Sequence, residues 1–304
     1  MSASNRASLI TKTHKVLKKH FKPVAPPTDR TVFEHLLYAC CLENSGYEAA
    51  DEAFAKLQEL FFDWNEVRVT TISELSEVMS CLADPKESAK RLKTTLHSVF
   101  ETHYSFDIEL LKKQNLGKSL KEIEKYPGVT PFVLSYITQT GLSGHSIPKS
   151  QGTIRALVVL GIVTQAEVDK RKIPGMERTI AKTKGVEFGS LLHQLGTEYG
   201  ASVFSQRIRN ILLEIAPDAK ERFPKRSSPK KPKKPTAVKK VVAKKKSTSA
   251  ASKKKVAKTS AAKTAKTAKK KTAVSKKSTK TKPAKKKTPK KKSTTKQLTR
   301  KKPR

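Results

Sequence analysis

The chain has 304 residues, 36% of them hydrophobic and 30% charged, with 65 Lys or Arg against 26 Asp or Glu and a formal net charge of +39. That length holds one to three domains, and no run of 18 apolar residues occurs, which excludes a transmembrane helix. The charge is polarised: residues 224–304 carry 35 of the basic residues and no acidic one, which leaves 1–223 close to balance and long enough to bury a core.

In chain order, residues 1–28 are basic and free of acid, with Lys12, Lys15, Lys18 and Lys19, and no apolar signal-peptide core follows them. An exposed helix over 8–21 and a linker over 23–28 are expected, with an organelle transit peptide as the alternative. Residues 31–42 predict a helix buried nearly all round, in which Cys40 and Cys41 act as small hydrophobes. Residues 47–62 place Ala50, Phe54, Leu57 and Phe61 on one helical face. Trp64 is expected in the core. Thr71 and Glu74 form a capping box for a helix through Leu82. Asp84-Pro85 opens the next helix, with a core face of Ala89, Leu92, Leu96, Val99 and Phe100, and residues 106–113 follow.

The stretch 120–155 organises the rest. Ser119 with Glu122 reads as a capping box, so a helix is expected to start there and to stop at Pro127-Gly128, where glycine permits a left-handed turn. Thr130 then caps a second helix whose first residue is Pro131 and whose apolar stripe is Phe132, Val133, Tyr136 and Ile137. Such a helix-hairpin-helix turns backbone N–H groups outward at a helix N-terminus, an anion site suited to a nucleic-acid phosphate. An ordinary helix–helix turn is the plainer reading. Ile154, Leu157 and Val158 with a closing Gly161, then 165–172, 186–199 and 205–215, supply further helices. No alternating strand occurs, so the expected fold class is all-α.

Tyr-Pro-Gly-Val at 126–129, followed downstream by His-Ser-Ile-Pro-Lys-Ser-Gln-Gly-Thr-Ile-Arg at 145–155, resembles the helix-hairpin-helix DNA glycosylases of the endonuclease III type. Residues 33–57 are similar to the early helices of that family, and the resemblance spans roughly 30–200. It implies a helical glycosylase-like domain over 30–223 after an N-terminal helix and linker over 1–29. It also implies DNA as partner, bound through Pro127, Gly128, Val129 and Thr130, with Lys149 as a phosphate contact and Arg155 on the helix after the loop. Asn44 aligns with the glutamine that fills the gap left by a flipped base; an Asn ending a helix before Gly46 is the other reading. The family's Schiff-base lysine is replaced by Phe132, its catalytic aspartate by Ser150 and its second hairpin glycine by Thr130. Lys149 and His145 remain as displaced catalytic candidates. The family's iron–sulfur loop has no counterpart, since Cys40, Cys41 and Cys81 are the only cysteines. No catalytic residue, metal or cofactor is therefore expected.

Residues 224–304 are built from Lys, Ala, Thr, Ser and Pro without any aromatic residue, and cannot bury enough apolar area to offset chain entropy. They resemble linker-histone tails and are expected to be disordered when free. Lys230, Lys231, Lys233 and Lys234 then belong to a tail that binds DNA phosphates without regard to sequence, through counterion release. Three free cysteines suit a reducing compartment, and the expected location is intracellular: nucleoid or cytoplasm in a bacterium, nucleus in a eukaryote. The expected function is DNA binding by a member of the base-excision-repair superfamily without its chemistry. An active glycosylase or AP lyase with relocated groups, or a DNA-compaction protein, are the alternatives.

Overall fold

In the computed structural model, which describes residues 3–170 and 176–225, the first helix, α1 (Ala3–His20), is longer than expected and is not an exposed appendage. Ile10, Thr13, Val16 and Leu17, with Phe21 just beyond, are buried. These positions recur at helical spacing. Lysines occupy the other face, which is why the segment reads as exposed by charge alone.

The next helices form one core. They are α2 (Val32–Leu42), α3 (Tyr47–Leu60), α4 (Trp64–Val69), α5 (Ile72–Val78), α6 (Pro85–His103), α7 (Leu110–Lys113), α8 (Leu116–Ile123) and α9 (Pro131–Thr140). The central helix is α2, buried at ten positions including Cys40 and Cys41. Its start is a capping box between Thr31 and Glu34, and a second box, Thr71 with Glu74, starts α5 as expected. Asp84 caps α6, with Pro85 as its first residue. Trp64 packs on this core, edge to face with Phe33 at 6.0 Å between centroids.

The second core joins α1 to the helices after the hairpin: α10 (Gln151–Val159), α11 (Gln165–Asp169), α12 (Met176–Thr179), α13 (Lys182–Ala201), α14 (Gln206–Ile215) and α15 (Ala219–Arg222). Gly161 closes α10 in the left-handed conformation (φ +75°), with Ile162 N–H donating back to Leu157 O at 3.0 Å. The tightest approach is between α10 and α13. A Cβ on Gly152 would lie 2.1 Å from Gly196 O, and one on Gly196 would lie 2.1 Å from Thr153 Oγ1. Gly185 and Gly189, on the same helix, admit the His145 ring and Pro148 from the loop before α10.

Every element among the described residues is helical, as expected. None of these helices is long and apolar enough to cross a membrane. The tail, with Lys230, Lys231, Lys233 and Lys234, lies outside the described residues.

Candidate nucleic-acid interface

The hairpin runs from α8 through Tyr126, Pro127, Gly128 and Val129 to Thr130 and α9. It differs from expectation at its start. The cap of α8 is Asn115, whose side chain accepts from Gly117 N–H at 2.9 Å. Ser119 is buried inside the helix and donates its hydroxyl to Leu111 O at 2.8 Å, so it ties α8 to α7 instead of capping. At the turn, Val129 N–H donates to Tyr126 O at 2.9 Å, and the buried Tyr126 ring bonds His103 Nε2 through its hydroxyl at 2.8 Å.

Gly128 is not left-handed; among the described glycines only Gly161 has positive φ. Its role is close approach. A Cβ there would lie 2.3 Å from Thr95 Oγ1, 2.5 Å from Arg91 O and 2.8 Å from Thr95 N. The glycine therefore seats the hairpin on the backbone of α6 and is buried, while Pro127 is exposed and Val129 and Thr130 are half-buried.

Thr130 caps α9 as expected, accepting from Val133 N–H at 3.2 Å. Its hydroxyl donates to Glu43 Oε2 at 2.8 Å, and Glu43 also faces Arg91 Nε at 3.3 Å. An internal carboxylate, balanced by a guanidinium, thus sits at the start of α9 and answers part of the helix dipole there. Asn44 follows Glu43 in the left-handed conformation (φ 65°), which its short amide side chain tolerates. That is the geometry of a residue turning the chain after α2, and it brings the Asn44 backbone to the same corner as Thr130.

Positive charge near the hairpin comes from α8 and the turn after it. Lys118 and Lys121, three apart on α8, and Lys125, in the turn that leads to Pro127, are exposed. That spacing is present in the sequence, but lysines at helical intervals have the same pattern on any solvated face.

Lys149, in the loop before α10, and Arg155, on α10, lie among the elements that build the second core. Lys149 Nζ is engaged by Glu177 Oε1 at 2.9 Å, with its side chain largely covered. Burial pushes the Glu177 carboxyl up, and Lys149 together with hydrogen bonding outweighs it, so the carboxyl is held below the usual range. His145 Nε2 lies 2.8 Å from Glu177 O and 2.9 Å from Ile180 O, which fastens the loop to α12. Arg155 is exposed on α10, and its charge pulls against the burial that raises the Tyr199 hydroxyl.

Between the two cores lies a cleft. Phe132, 2% exposed, stacks on Tyr136 at 6.3 Å and tilts on His193 at 5.3 Å between centroids. His193 bonds Ser45 O through Nε2 at 2.8 Å, and burial pushes its imidazole down to about 4. Ser150 is not part of the lining; 1% exposed, it caps α10 by accepting from Thr153 N–H at 3.3 Å and shares a 3.0 Å bond with Thr153 Oγ1. The cavity left between the cores is about 20 Å³, enough for a single water. Its remaining wall is the chain's own linker, through Val24 and Pro26.

No protein-family model and no curated protein matches the chain. Among solved structures, it is similar to a trapped endonuclease III–DNA covalent intermediate (estranged-adenine complex), with a TM-score of 0.51 at 13% identity, covering 73% of this chain and 99% of that one. The chain has an endonuclease III-like helical fold. A thermostable thymine-DNA glycosylase matches with a TM-score of 0.46 at 13% identity, covering 68% and 91% of the two chains. The Clostridium acetobutylicum 8-oxoguanine glycosylase/lyase, in complex with DNA containing cytosine opposite 8-oxoguanine, matches with a TM-score of 0.43 at 16% identity, covering 64% and 70%.

Proposed function

We propose that this protein binds duplex or distorted DNA through the hairpin, the lysines of α8 and of the turn after it, and the basic segment 224–304, and that it does not cleave the DNA it holds. The observation that carries the second half of this reading is the identity and packing of Phe132 and Ser150. A glycosylase needs a carboxylate or an amine at the sugar carbon. Phe132 is a packed hydrocarbon, and the Ser150 hydroxyl is spent as a helix cap. Lys149, a displaced candidate, is held by Glu177. The DNA half is supported by the charge of the chain, with 35 basic and no acidic residues in 224–304, and by a fold like that of a protein captured on DNA. Binding of this kind is largely electrostatic and independent of sequence.

The deciding experiment pairs anisotropy with chemistry. Full-length protein is titrated onto labelled duplexes, undamaged and carrying an abasic site, across a salt series, and the same mixtures are treated with borohydride and run on denaturing gels. Saturable binding with a steep salt slope and intact strands is the expected result. A trapped covalent adduct, or strand scission lost in Lys149→Ala, overturns the non-cleaving reading; absence of binding at low salt overturns the whole.

A further inference from the structure

The linker between α1 and α2 is more than a connection. Residues 22–29 form neither helix nor strand, yet they cross from one core to the other and close the cleft. Both ends are firmly held. On one side, Glu187 faces Lys18 Nζ at 2.6 Å and His14 Nε2 at 3.4 Å, and Glu214 faces Lys19 Nζ at 2.8 Å and His20 Nε2 at 2.7 Å. On the other, the Arg30 guanidinium lies 3.9 Å over the Tyr38 ring, with Asp51 at 3.5 Å. The middle is held lightly. Gln194 Nε2 donates to Lys22 O at 2.8 Å, and Val24 N–H donates to Ser190 Oγ at 3.2 Å. Pro23, Pro26 and Pro27 have no N–H to add, and most of the segment is exposed.

Beneath it lie the aromatic rings of Tyr47, Phe132, Tyr136 and His193, with the Gln139 amide. His193 Nδ1 is buried and meets no hydrogen-bond donor from the protein, the linker included. A tether clamped at both ends and lightly pinned in the middle, over an under-satisfied aromatic wall, has the construction of a lid.

We propose that residues 22–29 are an autoinhibitory strap: seated, they shut the inter-core cleft to everything larger than water; lifted, they open it to a planar heteroaromatic ring. The second clause rests on the DNA-binding reading, since DNA is the source of such rings; the first does not.

Two arms separate the clauses. The full chain carrying Val24→Cys and Ser190→Cys is compared oxidised, with the strap locked to α13, and reduced in place; Gln194→Ala loosens the strap. Loss of one hydrogen bond raises the open fraction about two- to twelvefold. In the first arm, without DNA, carbethoxylation of His193 by diethyl pyrocarbonate is followed by mass spectrometry. The expected order is Gln194→Ala fastest, then the unaltered chain, with the locked form protected and released on reduction. Equal rates in all forms overturn the strap. In the second arm, duplex containing 2-aminopurine is saturated with each form. A fluorescence rise that follows the same order supports ring entry. A signal equal in locked and loosened forms, with strap opening established by the first arm, overturns ring entry alone. If no form binds DNA, the DNA reading fails and the first arm still decides the strap.

Discussion

Substitution of Gly128 by alanine tests whether the hairpin is seated on α6 or merely lies beside it. The added Cβ would meet Thr95 Oγ1 at 2.3 Å, Arg91 O at 2.5 Å and Thr95 N at 2.8 Å. Two of these are backbone atoms inside α6, which cannot step aside as a side chain can. Overpacking of a filled site costs about 1–3 kcal/mol, and backbone neighbours place this one at the upper end, about 3 kcal/mol. For a folded unit of this size each kcal/mol is worth about 2–4 °C, so Gly128→Ala should melt about 6–12 °C below the parent. Removing the Thr95 hydroxyl in a Gly128→Ala/Thr95→Ala double variant relieves one clash and leaves the two with backbone, so rescue should be partial, with positive coupling between the sites. Thermal unfolding of the full chain at 222 nm, with a double-variant cycle, measures both quantities. A Gly128→Ala melt within about 1 °C of the parent would refute the close-packing argument; if DNA affinity fell at the same time, the glycine would be serving a phosphate instead.

Ser150→Ala removes the cap of α10 and should cost about 1 kcal/mol, read as a small drop in melting temperature without any change in DNA affinity. Burial holds His193 neutral with a value near 4, whereas the unfolded chain takes up a proton below about 6.5. Stability should therefore be full above that point and fall as pH drops toward 4, by up to about 3 kcal/mol. His35, also lowered by burial, acts in the same direction. Denaturant titrations of His193→Gln should show a flatter dependence across that window. Replacing Lys118, Lys121 and Lys125 by alanine, singly and together, should weaken DNA binding and reduce the salt slope by about 0.9 for each phosphate no longer neutralised; a slope unchanged in the triple variant would take α8 out of the interface.

The parts of this fold that could be read from sequence are those fixed by local chemistry. Thr71 with Glu74, Asp84 with Pro85, and Thr130 with Pro131 begin helices because their side chains satisfy N–H groups within the same turn. Ser119 misled because a serine three residues before a glutamate is a capping box only if its hydroxyl is free, and here Leu111 O has claimed it. Gly128 misled in another way. A turn glycine suggests unusual φ, but its requirement is space against a helix some thirty residues earlier, and nothing local records that. The residue types at the catalytic positions, Phe132 and Ser150, were plain in the sequence, while their burial was not. The linker hid most completely, since three prolines and scattered polar residues look the same whether a chain crosses solvent or seals a cleft.

The pairing of α1 with α13 and α14 also dictates an order of events during synthesis. The first core is contiguous, from Val32 to Ile137, and has all its parts once α9 has left the ribosome. The second needs Ile10, Val16 and Leu17 beside Leu191, Ile208 and Leu212, so its earliest-made helix must wait for its latest. At about 5–20 residues per second that interval is on the order of 10–40 s. For all of it α1 carries an apolar face with no partner, and once α9 has emerged it hangs by residues 22–29 from a completed core. The lysines on its opposite face keep that nascent helix in water until α14 arrives.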